Sequence, residues 1–312
     1  MALPAPSYLN ALEDGTLQRR AEQALAELAN CTLCPRKCSV DRTAGETGIC
    51  KTGRSAKVAS YNAHFGEEVP LVGRNGSGTI FFSHCNLLCN FCQNFEISHL
   101  GEGRELDDEQ LAAIMLDLQQ SGCHNINFVT PTHVVPQILS ALLIAARQGL
   151  SVPLVYNCGG YDRVETLRML EGIVDIYMPD FKFWDSTTAK DTCNAPDYPE
   201  VARQALVEMH RQVGDLQIDR ESELAYKGVL VRHLVLPGGL AGTAKIMQFI
   251  ADRVSANTYV NVMAQYRPCG RAKEMPELAS ALSPLEYEEA VRATKAAGIR
   301  RLDKPRRVFQ LW

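Results

Sequence analysis

The sequence has no run of the roughly 18–20 consecutive apolar residues that a membrane-spanning helix needs. It also lacks a basic stretch followed by an apolar one at its start, so residues 1–10 do not read as a secretory signal. Excess positive charge is missing as well. A net charge of −4 argues against a nucleic-acid binder that relies on a broad positive field. No internal repeat or low-complexity segment stands out. These absences leave the expectation of a cytoplasmic globular protein. Its 312 residues, 46% of them hydrophobic, give room for one large domain with a small appendage.

What the chain has in quantity is cysteine. Eleven cysteines could pair as disulfides only after export, and an odd count could not pair completely. Seven of them fall into two tight groups, Cys31, Cys34, Cys38 and Cys50, then Cys85, Cys89 and Cys92. Cys123, Cys158, Cys193 and Cys269 are scattered. In a reducing compartment, grouped thiols point to metal.

Residues 1–75 contain an Ala/Leu/Glu helix, with Leu25 and Leu28 on one face, and then a Cys/Gly/Arg-rich stretch with little hydrophobic periodicity. Such a stretch needs a metal staple to fold. Residues 76–312 change character. Short apolar strands, expected at 79–83, 125–130, 152–157, 173–178, 229–236 and 259–263, alternate with helical patterns, which is the mark of βα units and a parallel sheet. Leu111, Ile114, Met115 and Leu118 form one apolar stripe. Val201, Ala205 and Met209 begin another, widened by Leu206 and Val213. A last helix should start at Ser283 and Pro284, stop at Gly298, and bury Tyr287, Ala290, Val291 and Thr294. Six units are fewer than a closed barrel's eight, so an α/β partial barrel, open on one side, is expected, with its site at the carboxyl ends of the strands.

Directly after the first of these strands comes Cys85-Asn-Leu-Leu-Cys89-Asn-Phe91-Cys92. Three thiolates at this spacing can hold three irons of a 4Fe–4S cubane, and no fourth cysteine follows nearby to hold the last. A zinc site completed by His84 or His99 is the alternative, although zinc more often uses two-cysteine knuckles that lie far apart. The Cys-x3-Cys-x2-Cys motif, the loop position, the aromatic Phe91 and the six units resemble the radical S-adenosylmethionine (SAM) superfamily. The resemblance implies a partial (β/α)6 barrel in which SAM binds the open iron and is cleaved by one electron to a 5′-deoxyadenosyl radical that abstracts hydrogen.

Three further stretches are similar to activating enzymes of glycyl radical enzymes, in the group related to the pyruvate formate-lyase activating enzyme. They are Cys92-Gln-Asn94, Asp180-Phe-Lys182 and Arg232-His233-Leu-Val-Leu-Pro237-Gly238. The resemblance implies cofactor contacts from Phe91, Asn94, Asp180, Lys182 and His233. Asp180 and Lys182 alternate with Phe181, so on an extended segment they face the same way; a surface ion pair is their plainer reading, and a satisfied core histidine that of His233. The Gly-Gly-Glu usual after the second strand is replaced by Val129-Thr130-Pro131-Thr132-His133. There the hydroxyls of Thr130 and Thr132 are candidates for SAM amine contacts, and His133 for its carboxylate or the substrate. Asn157 opens a glycine-bearing turn, Asn157-Cys158-Gly159-Gly160-Tyr161, at the same mouth.

The N-terminal cysteines, Cys31-Thr-Leu-Cys34-Pro-Arg-Lys-Cys38 with Cys50, suit a structural zinc or a second 4Fe–4S cluster, with zinc preferred because the segment needs a staple. Arg300, Arg301, Lys304, Arg306 and Arg307 form a basic tail. It is either a solvated end or a docking patch for an acidic electron donor, reduced flavodoxin or ferredoxin. The function expected is that of an activase acting on a glycyl radical enzyme, or of an enzyme that modifies a peptide or small molecule directly. No nucleic-acid or membrane partner is expected.

Overall fold

The computed structural model describes residues 4–303. Two antiparallel helices, α1 (Ser7–Glu13) and α2 (Thr16–Ala26), lead into the cysteine-rich segment. Then follow β1 (Ala56–His64), the short α3 (Val69–Val72), β2 (Ser77–Phe82), β3 (Arg104–Leu106) and α4 (Asp108–Gln120). The regular alternation runs through β4 (Ile126–Val129), α5 (Val135–Arg147), β5 (Leu154–Cys158), α6 (Val164–Met169) and β6 (Ile176–Pro179). After α7 (Ser186–Cys193), α8 (Tyr198–Val213) and the small β7 (Gln217–Ile218) come β8 (Ala225–Leu234), α9 (Thr243–Arg253), β9 (Tyr259–Met263), α10 (Pro284–Ala296) and β10 (Arg301–Leu302).

The six expected strands are present as β2, β4, β5, β6, β8 and β9, and they are parallel in that order. β10 extends the row in parallel, while β1 and β3 continue it antiparallel beyond β2. Among the described residues the sheet is open, with β3 and β10 as its unjoined edges. Residues 56–75, grouped by sequence with the cysteine-rich segment, thus supply a strand to the main sheet.

Helix signals act as expected. Asp107 caps α4 and Ser283 caps α10, each within a reciprocal capping box closed by Gln110 or Glu286. On α10, Ala290 and Thr294 are buried, and Tyr287 and Val291 pack half-buried beside them. No helix among the described residues is long and apolar enough to cross a membrane.

The sheet curls around a plug. On the segment of α3, Glu68 accepts from Asn261 Nδ2 on β9 (2.8 Å), and the Leu71 carbonyl accepts from Asn125 Nδ2 beside β4 (2.8 Å). Strands β4 and β9 are four steps apart, about 19 Å on a flat sheet at ~4.8 Å per step. One short segment touches both, so the sheet must wrap it. Leu71 and the inward-facing Val155, Ile176, Met178 and Leu230 form a small inner core, separate from the large core between sheet and helices. The polar ends of the strands lie above it.

Candidate active site

Cys85, Cys89 and Cys92 lie on the loop leaving β2. The loop turns inward through left-handed backbone at His84 (φ 67°) and Leu88 (φ 57°), each costing about 1–2 kcal/mol for a residue with a Cβ. Phe91 anchors it: the ring is buried edge-on against Phe183 (5.8 Å) and Tyr266 (6.2 Å). What the structure gives Phe91 is a packing role that fixes the loop to the core. The Asn94 side chain is exposed.

The three thiols fit a cluster in the chemistry around them. Leu87 N–H points at Cys85 Sγ and Ser98 Oγ at Cys92 Sγ, both at 3.3 Å, and such donors favour thiolate sulfur. Burial, and then the neighbouring Cys89, push the Cys85 thiol up to about 12, so without metal the group stays protonated. Cys193, one of the cysteines that sequence leaves scattered, lies at the end of α7 against Cys89. Contact between their thiols is the first cause raising Cys89, ahead of burial.

Beside this loop the strand ends hold a half-buried ionic network. Asp180 accepts from Arg232 Nε (2.8 Å) and from Lys182 Nζ (2.6 Å). Arg232 also donates to Asn157 Oδ1 (2.7 Å) and lies 3.7 Å from Glu67. Asp180 and Lys182 thus meet each other, and Asn157 joins them through Arg232, in a half-buried network. Arg232 heads a stretch singled out in the sequence but carried no role there, and Glu67 and Glu68 are additions that no motif marks.

Burial raises the Glu67 carboxyl to about 7 despite Arg232, with Glu68 and Asp180 adding repulsion. Raised folded-state affinity for the proton means that stability falls as pH climbs from about 4.5 to 7. Glu67→Gln should remove that fall, raising stability at pH 8 by on the order of 2–3 kcal/mol and changing it little at pH 4. Urea unfolding at the two pH values measures the difference; equal gains at both would assign the effect to packing.

Three expected contacts are corrected. His233 is fully buried on the opposite side of β8 from Arg232, with Nδ1 on the Phe181 carbonyl (2.7 Å) and Nε2 on Thr243 Oγ1 (2.9 Å). It ties β8 to α9. Thr132 is buried and donates to Asp162 (2.8 Å), which also holds Tyr156. His133 is buried behind the sheet, with Nε2 on the Ser83 carbonyl (2.9 Å). Pro131 starts a tight turn over Thr132–Val134 that sends both side chains inward. Only Thr130, half-buried at φ 61°, stays at the strand mouth, its N–H on the Asn157 carbonyl.

In the Gly159-Gly160 turn, Gly160 has φ 74° and packs directly on the Asp180 carbonyl, where an added Cβ would collide. The glycine serves the site by close backbone packing. Gly160→Ala should cost about 1–3 kcal/mol in unfolding free energy and displace the Asp180 segment. Chemical denaturation checks this, and wild-type stability would refute it.

The N-terminal module is docked on the same loop. Arg36 donates to the carbonyls of Asn86 (2.9 Å) and Leu87 (3.2 Å), between Cys85 and Cys89, and to those of Cys193 (2.8 Å) and Asn194 (2.5 Å). Its four cysteines face one small cavity. Among the described residues no group of histidine, cysteine, aspartate and glutamate side chains is arranged to hold a metal ion without the ion present, so neither the structural zinc nor the second 4Fe–4S cluster expected at these four cysteines gains support from the geometry. Of the basic tail, Lys304, Arg306 and Arg307 lie outside the described residues. Arg301 is engaged with the Leu216 carbonyl (2.7 Å) and the Tyr259 ring, which leaves Arg300 exposed.

No protein-family model matches the chain. Among solved structures it is similar to methylornithine synthase (PylB), at a TM-score of 0.45 and 16% identity over 72% of this chain and 63% of that one. It is also similar to the cobalamin-dependent S-adenosylmethionine radical enzyme OxsB, at 0.39 and 12% over 72% of this chain and 31% of that one. The chain thus spans less than two thirds of either neighbour. A much nearer relative in sequence is the uncharacterized protein MJ0674 of Methanocaldococcus jannaschii, 32% identical over 292 residues, which are 91% of this chain and 79% of the relative. The chain belongs to the family of MJ0674.

Proposed function

We propose that the chain is a radical SAM enzyme whose 4Fe–4S cluster sits on Cys85, Cys89 and Cys92. The observation that carries this reading is a three-thiol loop at the carboxyl end of the first parallel strand, with donors aimed at its sulfurs and a half-buried ionic network beside it. When bound, cluster and SAM supply a 5′-deoxyadenosyl radical able to abstract hydrogen. The chain's own part is to hold and orient. Lys182 spends one ammonium proton on Asp180 and keeps two donors, enough to meet the SAM carboxylate. Asp180 keeps lone pairs for an amine or ribose hydroxyl, and Thr130 offers a hydroxyl at the mouth.

Within this reading the chain acts as an activase-like protein, reduced by flavodoxin or ferredoxin and working on a glycine of a glycyl radical enzyme. The unjoined sheet edges support it, since an open side can admit a polypeptide loop. A second reading, direct modification of a peptide or small molecule, is favoured by the Thr130-to-His133 segment, whose inward turn departs from the activase pattern. Anaerobic turnover with SAM and dithionite tests the common claim, because failure to form 5′-deoxyadenosine would overturn it. Electron paramagnetic resonance then separates the two, since an activase leaves a stable glycyl radical on the protein partner and a direct modifier leaves none.

A further inference from the structure

Shortly after Cys92 the chain makes a single π-helical turn over Glu96–Leu100, with Ser98 buried on it. Such turns are rare and frequent at functional sites. A serine on a helical turn ordinarily returns its hydroxyl to the carbonyl four positions back. Here that carbonyl, of Asn94, takes the Ser98 N–H (2.8 Å), and the hydroxyl goes to Cys92 Sγ at 3.3 Å. Sulfur is a weak acceptor as a thiol and a much better one as an anion. The hydroxyl is thus placed for ionised sulfur. A mere tie between the turn and the thiol loop is the plainer account, but the backbone already makes that tie, through His84 N–H on the Ile97 carbonyl (2.9 Å).

The hydroxyl is itself held. His99 Nδ1 lies 2.8 Å from Ser98 Oγ. Ser98 has one proton to give, and when it goes to a thiolate sulfur, His99 must donate the second bond. Nδ1 then carries a proton, and its bond polarises the hydroxyl toward the sulfur. The imidazole is fixed in turn, its face stacked on Phe95 at 4.1 Å and 11°. Against Phe95 stands Gly270 at φ 53°, where a Cβ would come 2.5 Å from the ring and 2.7 Å from the Asn90 carbonyl. Imidazole, hydroxyl and sulfur therefore form a chain of bonds from a half-buried rim into the thiol loop.

Hydrogen bonds to the sulfurs are among the factors that set the reduction potential of an iron–sulfur cluster. A donor on sulfur stabilises the reduced state, which carries one more negative charge, over the oxidised one. We propose that Ser98 and His99 are a positioning pair that raises the reduction potential of the cluster on Cys92. The pair makes it easier for the cluster to gain the one electron that precedes SAM cleavage. That electron comes from the reduced flavodoxin or ferredoxin of the proposed function, and no bond is made or broken in the transfer. The inference rests on that reading for the cluster itself and adds the residues that tune it.

The test is an anaerobic potentiometric titration of the full chain, reconstituted with iron and sulfide and free of SAM, followed by the electron paramagnetic resonance of the reduced cluster. Ser98→Ala should make reduction about tenfold less favourable, which for one electron is a fall of about 59 mV. Ser98→Thr keeps the hydroxyl and should stay near the wild type, while Ser98→Val, of the same shape as threonine, should fall with alanine. That pair reads the hydroxyl even where alanine loosens the turn. His99→Phe keeps the stack on Phe95 without the N–H and should lose part of the potential, and His99→Asn, which restores a donor, should recover it. Equal potentials for Ser98→Thr and Ser98→Val would overturn the proposal, and His99→Phe at the wild-type value would remove His99 from it. A wild type that assembles no cluster would sink the catalytic reading and this one together. A wild type that cleaves SAM, with the serine variants at an unmoved potential, would sink this one alone.

Discussion

Replacing Cys85, Cys89 and Cys92 with alanine should reduce formation of 5′-deoxyadenosine to background while leaving the fold intact. The thiols sit on a loop outside the regular elements, and Phe91 carries the loop's packing into the core, so three small truncations remove ligands and little buried area. A single outer change should cost less. Lys182→Met removes a charge beside Cys89 and a donor to Asp180 without touching a cluster ligand. Outer contacts of this kind are worth roughly ten- to hundredfold in activity or metal affinity. Anaerobic SAM cleavage, with circular dichroism as the control for folding, distinguishes the two. A cysteine variant that cleaves SAM at the wild-type rate would remove the loop from the chemistry altogether.

Much of the scaffold is legible in the sequence because burial on both faces makes strands continuous apolar runs. The strand expected at 259–263 is β9 as found, and the cap of α10 falls on Ser283. Strand β1 escapes because it is built from Ala, Lys, Ser, Asn and His around one Val and one Tyr, poor strand formers that pairing with β2 and β3 stabilises. The site is less legible for a related reason. Arg232 and His233 are adjacent on a strand whose side chains alternate, and apolar neighbours surround both. Nothing local says which one faces the mouth, and the structure gives that face to Arg232. Glu67 and Glu68 come from a plug far away in sequence, and only the curl of the sheet around Leu71 brings them under Arg232. Thr132 and His133 look like mouth residues until the turn after Pro131 rotates them inward. Cys193 is a lone cysteine at a helix end until packing sets it on Cys89.

The other large effect expected is on stability. Asp180→Ala should cost about 2–3 kcal/mol, less than for a fully buried pair, because it takes the shared carboxylate from two half-buried cations and leaves Arg232 with Glu68 and with Glu67, a carboxyl that burial already keeps poorly ionised. Burial opposes the Asp180 charge, yet Arg232 and Lys182 together hold its carboxyl below the usual carboxylate range. A depressed folded-state value contributes stability that is present above the unfolded value of about 3.9 and is lost as pH falls through the folded one. The wild type should therefore lose this contribution below about pH 4, whereas Asp180→Asn, which keeps the shape and drops the charge, should lack that acid-dependent component. Urea unfolding at pH 7 and pH 3 reads both expectations. If Asp180→Ala matched the wild type at pH 7, water must already solvate the three charges, and the strand mouth would be too wet to shelter a reactive radical. If the predicted loss is found, the ion network beside the thiol loop is partly sheltered from water before any cofactor arrives, which is a condition a radical enzyme needs.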